Sequence, residues 1–164
     1  MGPELSGLRC GIGYDTHRLA EGRKLVLGGV EIASARGPVS HSDGDVLSHA
    51  IADALLGAAG LGDLGRRFPD TDPQWKGVSS LVFLETIRKL LAAQRLRIQN
   101  IDSVIVLDEP KLAPYMDRIV DGIARALGVD RSQVSVKAKT SEGATPLLAA
   151  AHAVALLASE VTAQ

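Results

Sequence analysis

The sequence predicts an α+β fold, a small mixed sheet layered with helices. Three observations lead there. Short apolar runs alternate with longer stretches of helical period. Two of the short runs are separated only by Gly28-Gly29, a hairpin signal. The segment "QVSVKAK" (133–139) alternates cleanly, with Val134, Val136 and Ala138 facing one way and Ser135, Lys137 and Lys139 the other.

Taken in order, residues 8–14 read as a strand, and "KLVLGGVEI" (24–32) as two short strands around the glycine pair. A helix is expected from about Asp43 to Leu61, with Ser42 or Asp43 as N-cap and a body dominated by Ala, Leu and Ile. Residues 60–77, "GLGDLGRRFPDTDPQWKG", read as a long loop carrying Asp63, Asp70 and Asp72. Loops of that length inside a compact domain are usually functional or disordered, and this one lacks the composition of disorder. A second helix is expected over about Ser79–Gln94, with Leu81, Leu84, Ile87, Leu90 and Leu91 on one stripe. A strand follows at 101–108, then a helix from about Ala113 to Leu127 that stops at Gly128. After the 133–139 strand, Thr145-Pro146 offers an N-cap and an N1 proline. The segment Leu147–Ala158 therefore reads as a last helix, apolar nearly all round, buried in the core or against another subunit.

The chain has 164 residues, enough for one domain with a real core, here 8–164 after a disordered N-terminal tail at 1–7. A net charge of −1 and 3% aromatic residues give no footprint for nucleic acid or an anionic membrane. No apolar run reaches the length of a membrane span and no leader pattern is present. "MGPELS" fits a loose myristoylation pattern, but a frayed tail is the simpler reading. The single Cys10 excludes an intramolecular disulfide and suits a reducing, cytoplasmic setting. It sits in an apolar run and is expected to be buried.

The chemistry concentrates in few places. Asp15 and His17 lie two apart on an extended segment, hence on one face. With His49 they form a ligand set suited to zinc, with one position left for water or substrate. Asp45, one turn before His49, is placed to orient that imidazole. The alternative is that Asp15 caps a turn and the histidines are scattered polar residues. His41 precedes the expected helix N-terminus, which favours a phosphate, or is a surface histidine before a cap. "KAKTSEG" (137–143) ends a strand in lysines, hydroxyls and Glu142, suited to phosphate and a hard cation or simply a solvated strand end. "DEPKL" (108–112) reads by itself only as a turn. There is no P-loop, Rossmann fingerprint, nucleophile elbow or zinc-finger cysteine pair.

Together "GIGYDTHRL", "LGGVEI", "HSDGDVLSHAIADALLGAAGLGDLGRRFPDTDPQWKG", "DEPKLAPY" and "VKAKTSEG" resemble the 2-C-methyl-D-erythritol 2,4-cyclodiphosphate synthases of non-mevalonate isoprenoid synthesis. The resemblance covers about residues 8–142 and resumes in the last segment. It implies a homotrimer with sheets packed around a threefold axis and active sites between subunits. It also implies a small-molecule cytidine diphosphate substrate, whose 2-phosphate attacks the β-phosphorus and expels CMP. By motif, Asp15, His17 and His49 match the ligands of Zn2+ or another divalent metal, and Glu142 that of Mg2+ or Mn2+. His41 and Thr140 match the catalytic positions that steady the transferred phosphoryl group. Ser42, Asp63, Leu64, Gly65, Phe68, Pro69, Asp70, Thr71 and Asp72 match the part that binds the methylerythritol phosphate. Leu107, Asp108, Glu109, Pro110, Lys111, Leu112, Ala113, Ala138, Lys139 and Ser141 match the cytidine side. After Glu142 the family continues with a Gly-Phe-x-Gly-Arg-Gly-Glu-Gly segment whose Phe and Arg line a cavity on the threefold axis, the proposed isoprenoid diphosphate site. Here the shorter "GATPLL" (143–148) replaces it and is expected to enter the helix directly. Two rival readings use the same residues: a zinc-dependent phosphoesterase and a catalytically silent trimeric binding module.

Overall fold

A computed structural model of the chain describes residues 7–159. The expected tail over residues 1–6 lies outside them, whereas the Gly7 carbonyl accepts the Ser159 N–H at 2.9 Å. A five-stranded sheet has the order β4-β1-β7-β5-β6. Its members are β1 (Leu8–Glu21), β4 (Arg36–Pro38), β5 (Leu96–Val106), β6 (Val134–Lys139) and β7 (Leu148–Ser159). The short strands β2 (Leu25–Leu27) and β3 (Val30–Ile32) form the expected hairpin, with Gly28 and Gly29 at φ 57° and 73° supplying the left-handed turn. Among the described residues only β5 and β6 pair in parallel; the other pairs are antiparallel, so the sheet is mixed.

The last segment is a strand, not a helix. β7 lies between β1 and β5 and is hydrogen-bonded along both edges. Ala149, Ala151, Ala153, Ala155 and Leu157 point into the core, while Leu148, His152 and Val154 point out. Alanine favours a helix in isolation, but here the tertiary requirement is for small side chains on one sheet face. Helix α1 (Val46–Ala59) lies across that face at backbone contact. A Cβ added at Gly13 would stand 1.8 Å from the Ala50 carbonyl oxygen, and one at Gly11 2.0 Å from that of Ala54. The glycines and alanines of β1 and β7 thus set the depth to which α1 sinks. Every residue of α1 except Asp53 and Gly57 is buried.

Helix α1 starts later than expected. Its N-cap is Asp45, not Ser42 or Asp43, and it stops at Gly60 in the left-handed region. Helix α2 (Leu64–Arg67) and a 3₁₀ turn at Pro73–Trp75 occupy the expected 60–77 loop, each capped by an aspartate, Asp63 and Asp72. Helix α3 (Leu81–Ala93) buries Phe83, Leu84, Ile87 and Leu91. Helix α4 (Met116–Leu127) buries Ile119 and Ile123 and ends at Gly128, after a 3₁₀ turn at Ala113–Tyr115. β1 and β5 are each longer than the sequence suggested.

Along β1 and β7 the outer sheet face is apolar and uncovered. Ile12 is 75% exposed, Tyr14 52% and Val154 45%. Tyr14 and His152 stack across the strands with ring centroids 4.7 Å apart. Cys10 belongs to the same face and is exposed, contrary to expectation. Its apolar neighbours face outward with it.

Candidate active site

β1 and α1 together build a compact polar cluster. The close approach of α1 to the sheet carries His49 onto the inner face of β1, where Asp15 and His17 already share a side. Asp15 Oδ2 is 2.9 Å from His17 Nε2 and 2.9 Å from His49 Nδ1, and the two nitrogens are 3.2 Å apart. A tetrahedral ion with ligand bonds of about 2.0 Å spaces its ligand atoms by about 3.3 Å, so the triangle fits a zinc-sized cation. His49 is nearly buried, while His17 and Asp15 keep 17% and 24% of their side-chain surface, which leaves an open side. Burial would raise the Asp15 pKa. Hydrogen bonds and charge from His17 and His49 outweigh it and hold the carboxyl well below its usual range. Burial would likewise lower the His49 pKa, but the Asp15 carboxylate more than compensates.

The far side of the His49 ring is held by hydroxyls. Nε2 lies 2.9 Å from Ser80 Oγ and 3.2 Å from Ser42 Oγ. Ser80 donates its own hydroxyl proton to Asp43 Oδ1, and its N–H to Asp43 Oδ2 at 2.9 Å. Having only one hydroxyl proton, Ser80 accepts from His49, which places a ring proton on Nε2; Nδ1, which shares a proton with the Asp15 carboxylate, is the nitrogen that would present its lone pair to a bound cation. Asp45, expected to orient this ring, is engaged elsewhere, for its carboxylate accepts from Gly29 N, Ser48 N and Ser48 Oγ. The orienting carboxylate is Asp43, acting through Ser80. Only its place in the "HSDGD" run could have signalled this.

The remaining expected residues fall into two groups. His41 is exposed and lies in the loop five residues before α1, not at its N-terminus; its carbonyl accepts from Gly77 N at 2.9 Å. That bond ties the 39–45 loop to the end of the 60–77 segment. Asp63 caps α2 through Arg66 N, and Leu64 N donates to Asp53 Oδ1 on α1 at 2.7 Å. Burial, with the nearby Asp63 and Asp15 charges, raises the Asp53 pKa. Phe68 is buried against Phe83 and Trp75, with centroids 4.6 and 5.2 Å away, and Phe83 lies 6.1 Å from the His49 ring. Gly65, Asp70 and Thr71 are exposed, Pro69 is half-buried, and Asp72 caps the 3₁₀ turn.

The second group opens on a cavity of about 980 Å³. Asp108, Glu109, Pro110, Lys111, Thr140 and Glu142 line one side of it. Leu19, Glu21 and the Ala33–Arg36 segment, which sequence reasoning missed, line the other. The Asp108 carboxylate accepts from Ser141 N and Oγ at 2.5 and 2.8 Å, joining the loops after β5 and β6. Thr140 Oγ1 donates to Glu142 Oε1 at 2.5 Å. Glu142 has φ 55°, a conformation non-glycine residues rarely adopt and one that recurs at ligand clamps. Leu107 and Leu112 are buried in the core, while Ala113, Ala138 and Lys139 are exposed nearby. None of Asp15, His17 and His49 lines this cavity.

Fold and site define an α+β protein with an Asp/His triangle, able to hold a metal ion, at one strand–helix contact and a separate, carboxylate-lined cavity. The YgbB family model matches residues 8–158, and the chain belongs to that family. It is 54% identical over 136 residues to the 2-C-methyl-D-erythritol 2,4-cyclodiphosphate synthase of Clostridium botulinum (strain Eklund 17B / Type B), covering 83% of this chain and 87% of that one. It is 53% identical over 154 residues to the enzyme of the same name from Gloeobacter violaceus, covering 92% and 94%. A solved structure of a 2C-methyl-D-erythritol-2,4-cyclodiphosphate synthase in its CDP-bound form superposes with a TM-score of 0.87 at 46% identity, covering 91% and 99%.

Proposed function

We propose that this chain converts 4-diphosphocytidyl-2-C-methyl-D-erythritol 2-phosphate to 2-C-methyl-D-erythritol 2,4-cyclodiphosphate and CMP; its relatives are named as synthases of that cyclodiphosphate. The observation that carries the reading is the Asp15/His17/His49 triangle, formed in a chain so similar to those enzymes. The 2-phosphate oxygen attacks the β-phosphorus, a P–O bond forms, and the bond from that phosphorus to the bridging oxygen breaks, so that CMP leaves. The nucleophile is already an anion, so the protein needs no strong base. It must hold two anions in line against their repulsion.

Asp15, His17 and His49 would hold zinc, and Glu142 a magnesium or manganese ion. These cations would offset the charge on the diphosphate. His41 and Thr140 are assigned to steadying the transferred phosphoryl group. Ser42, Asp63–Gly65 and Phe68–Asp72 are assigned to the methylerythritol phosphate, and Leu107–Ala113 with Ala138, Lys139 and Ser141 to the cytidine. Support for this division comes from the aromatic chain linking Phe68 to His49 and from the shared cavity of Asp108–Lys111 and Thr140. A homotrimer is proposed with it: the uncovered face of β1 and β7 exposes apolar side chains that a partner would bury, and metal triangle and cavity are separate half-sites on one chain. A cytoplasmic setting suits the single free Cys10.

Incubating the purified chain with the cytidine-diphosphate substrate and weighing the product tests the reaction. Cyclic diphosphate with CMP is expected. Open phosphates would instead indicate a phosphoesterase, and no turnover a binding module.

A further inference from the structure

The cavity is acidic for a site assigned to a diphosphate. Glu21, Asp108, Glu109 and Glu142 line it, against two cationic side chains among the described residues, Arg36 and Lys111. Beyond the magnesium or manganese ion assigned to Glu142, Glu21, Asp108 and Glu109 still repel an entering phosphate group unless a further cation is aimed at it. Asp108 is engaged by Ser141, and Glu142 by Thr140. Glu21 faces Arg36, but at 3.7 Å between Oε1 and Nη2, beyond hydrogen-bond length.

Arg36 is unusually well placed to turn toward a ligand. Its backbone is fixed, because β4 pairs Arg36 with Glu21 on β1 and its N–H donates to Ser34 Oγ at 3.2 Å. Among the described residues no hydrogen bond ties its guanidinium, which is 45% exposed. Five donors in a planar fork match two oxygens of a phosphate, whereas the Lys111 ammonium is a point charge. We propose that Arg36 is a phosphate-binding residue of this cavity, and that Glu21 is the counter-ion it leaves when the ligand enters. The proposal rests on the reading that the cavity takes the cytidine diphosphate. Arg36 lies outside every segment assigned by the family resemblance. Glu21 then tunes affinity, because each binding event separates it from Arg36.

Calorimetric titration of the full-length protein with cytidine, CMP and CDP tests this. Wild type is expected to bind CDP more tightly than cytidine. Arg36→Gln should weaken CDP about tenfold and leave cytidine unchanged, with Arg36→Lys between them. Glu21→Gln should move the other way, tightening CDP about twofold. If wild type binds none of the three ligands, the cavity reading falls and the Arg36 assignment with it. If wild type binds CDP but Arg36→Gln binds it equally well, or loses cytidine and CDP alike, the Arg36 assignment alone is overturned.

Discussion

Replacing Ser80 by alanine should weaken zinc binding without touching a ligand. The His49 ring has two hydroxyls behind it, Ser80 Oγ at 2.9 Å and Ser42 Oγ at 3.2 Å. Ser80→Ala removes the nearer one and leaves the farther in reach. A buried N–H left without a partner costs about 1–3 kcal/mol. With Ser42 still available the lower part of that range applies, about 1.4 kcal/mol, or about tenfold in zinc affinity. Asp43→Ala should do more. It frees the Ser80 hydroxyl proton, which can then be donated to Nε2 and drive the ring proton to Nδ1, the ligating atom. A loss approaching a hundredfold is expected. Competition with a chromophoric chelator at neutral pH reads both affinities, and thermal unfolding checks that the fold survives. Unchanged zinc affinity in both variants would refute the assignment of the ring proton and the role of Asp43.

Four other outcomes are expected. His17→Ala or His49→Ala should lose zinc and turnover while remaining folded, by metal analysis and circular dichroism, and Asp15→Asn should lose less because an amide oxygen still coordinates. Glu142→Gln should keep zinc but turn over slowly, with partial rescue by raised Mg2+ or Mn2+, because mass action refills a weakened site; identical magnesium curves for wild type and variant would remove Glu142 from the mechanism. Gly13→Ala should destabilise the fold by about 3 kcal/mol, read from a denaturant midpoint, since the added Cβ would meet the Ala50 carbonyl at 1.8 Å and neither backbone can yield cheaply. Ile12→Lys, on the open face of β1, should shift the mass found by light scattering from the proposed trimer to monomer; a trimeric Ile12→Lys protein would remove this face from the interface, and a monomeric wild type would contradict the trimer.

Much of the molecule was legible in the sequence. The Gly28-Gly29 hairpin, α3, α4 with its Gly128 stop and the alternating β6 rest on local rules, turn chemistry and hydrophobic period, which act within a few residues. Asp15 and His17 were also legible as a pair, because two-residue spacing on a strand fixes their face whatever the rest of the chain does. Their convergence with His49 was readable only as one of two alternatives until α1 was seen lying against β1.

Three features were decided by tertiary structure alone. Residues 148–159 carry alanine on the buried face and Leu, His and Val on the other, so both faces read as apolar and the period of two is hidden. Only pairing with β1 and β5 makes them a strand, and that pairing sets Leu148, His152 and Val154 on the outer face of the sheet. The partner behind His49 is Asp43 through Ser80, residues separated by 37 positions, and no local rule links them. Arg36 and Glu21 meet the 108–111 turn and Glu142 at one cavity because β4 folds back on the end of β1. The sequence determined which segments could be helix or hairpin and which side chains could hold metal and phosphate, since those depend on residue chemistry and short spacing. The tertiary structure decided which of them meet, because proximity between distant segments is set by packing depth and strand pairing.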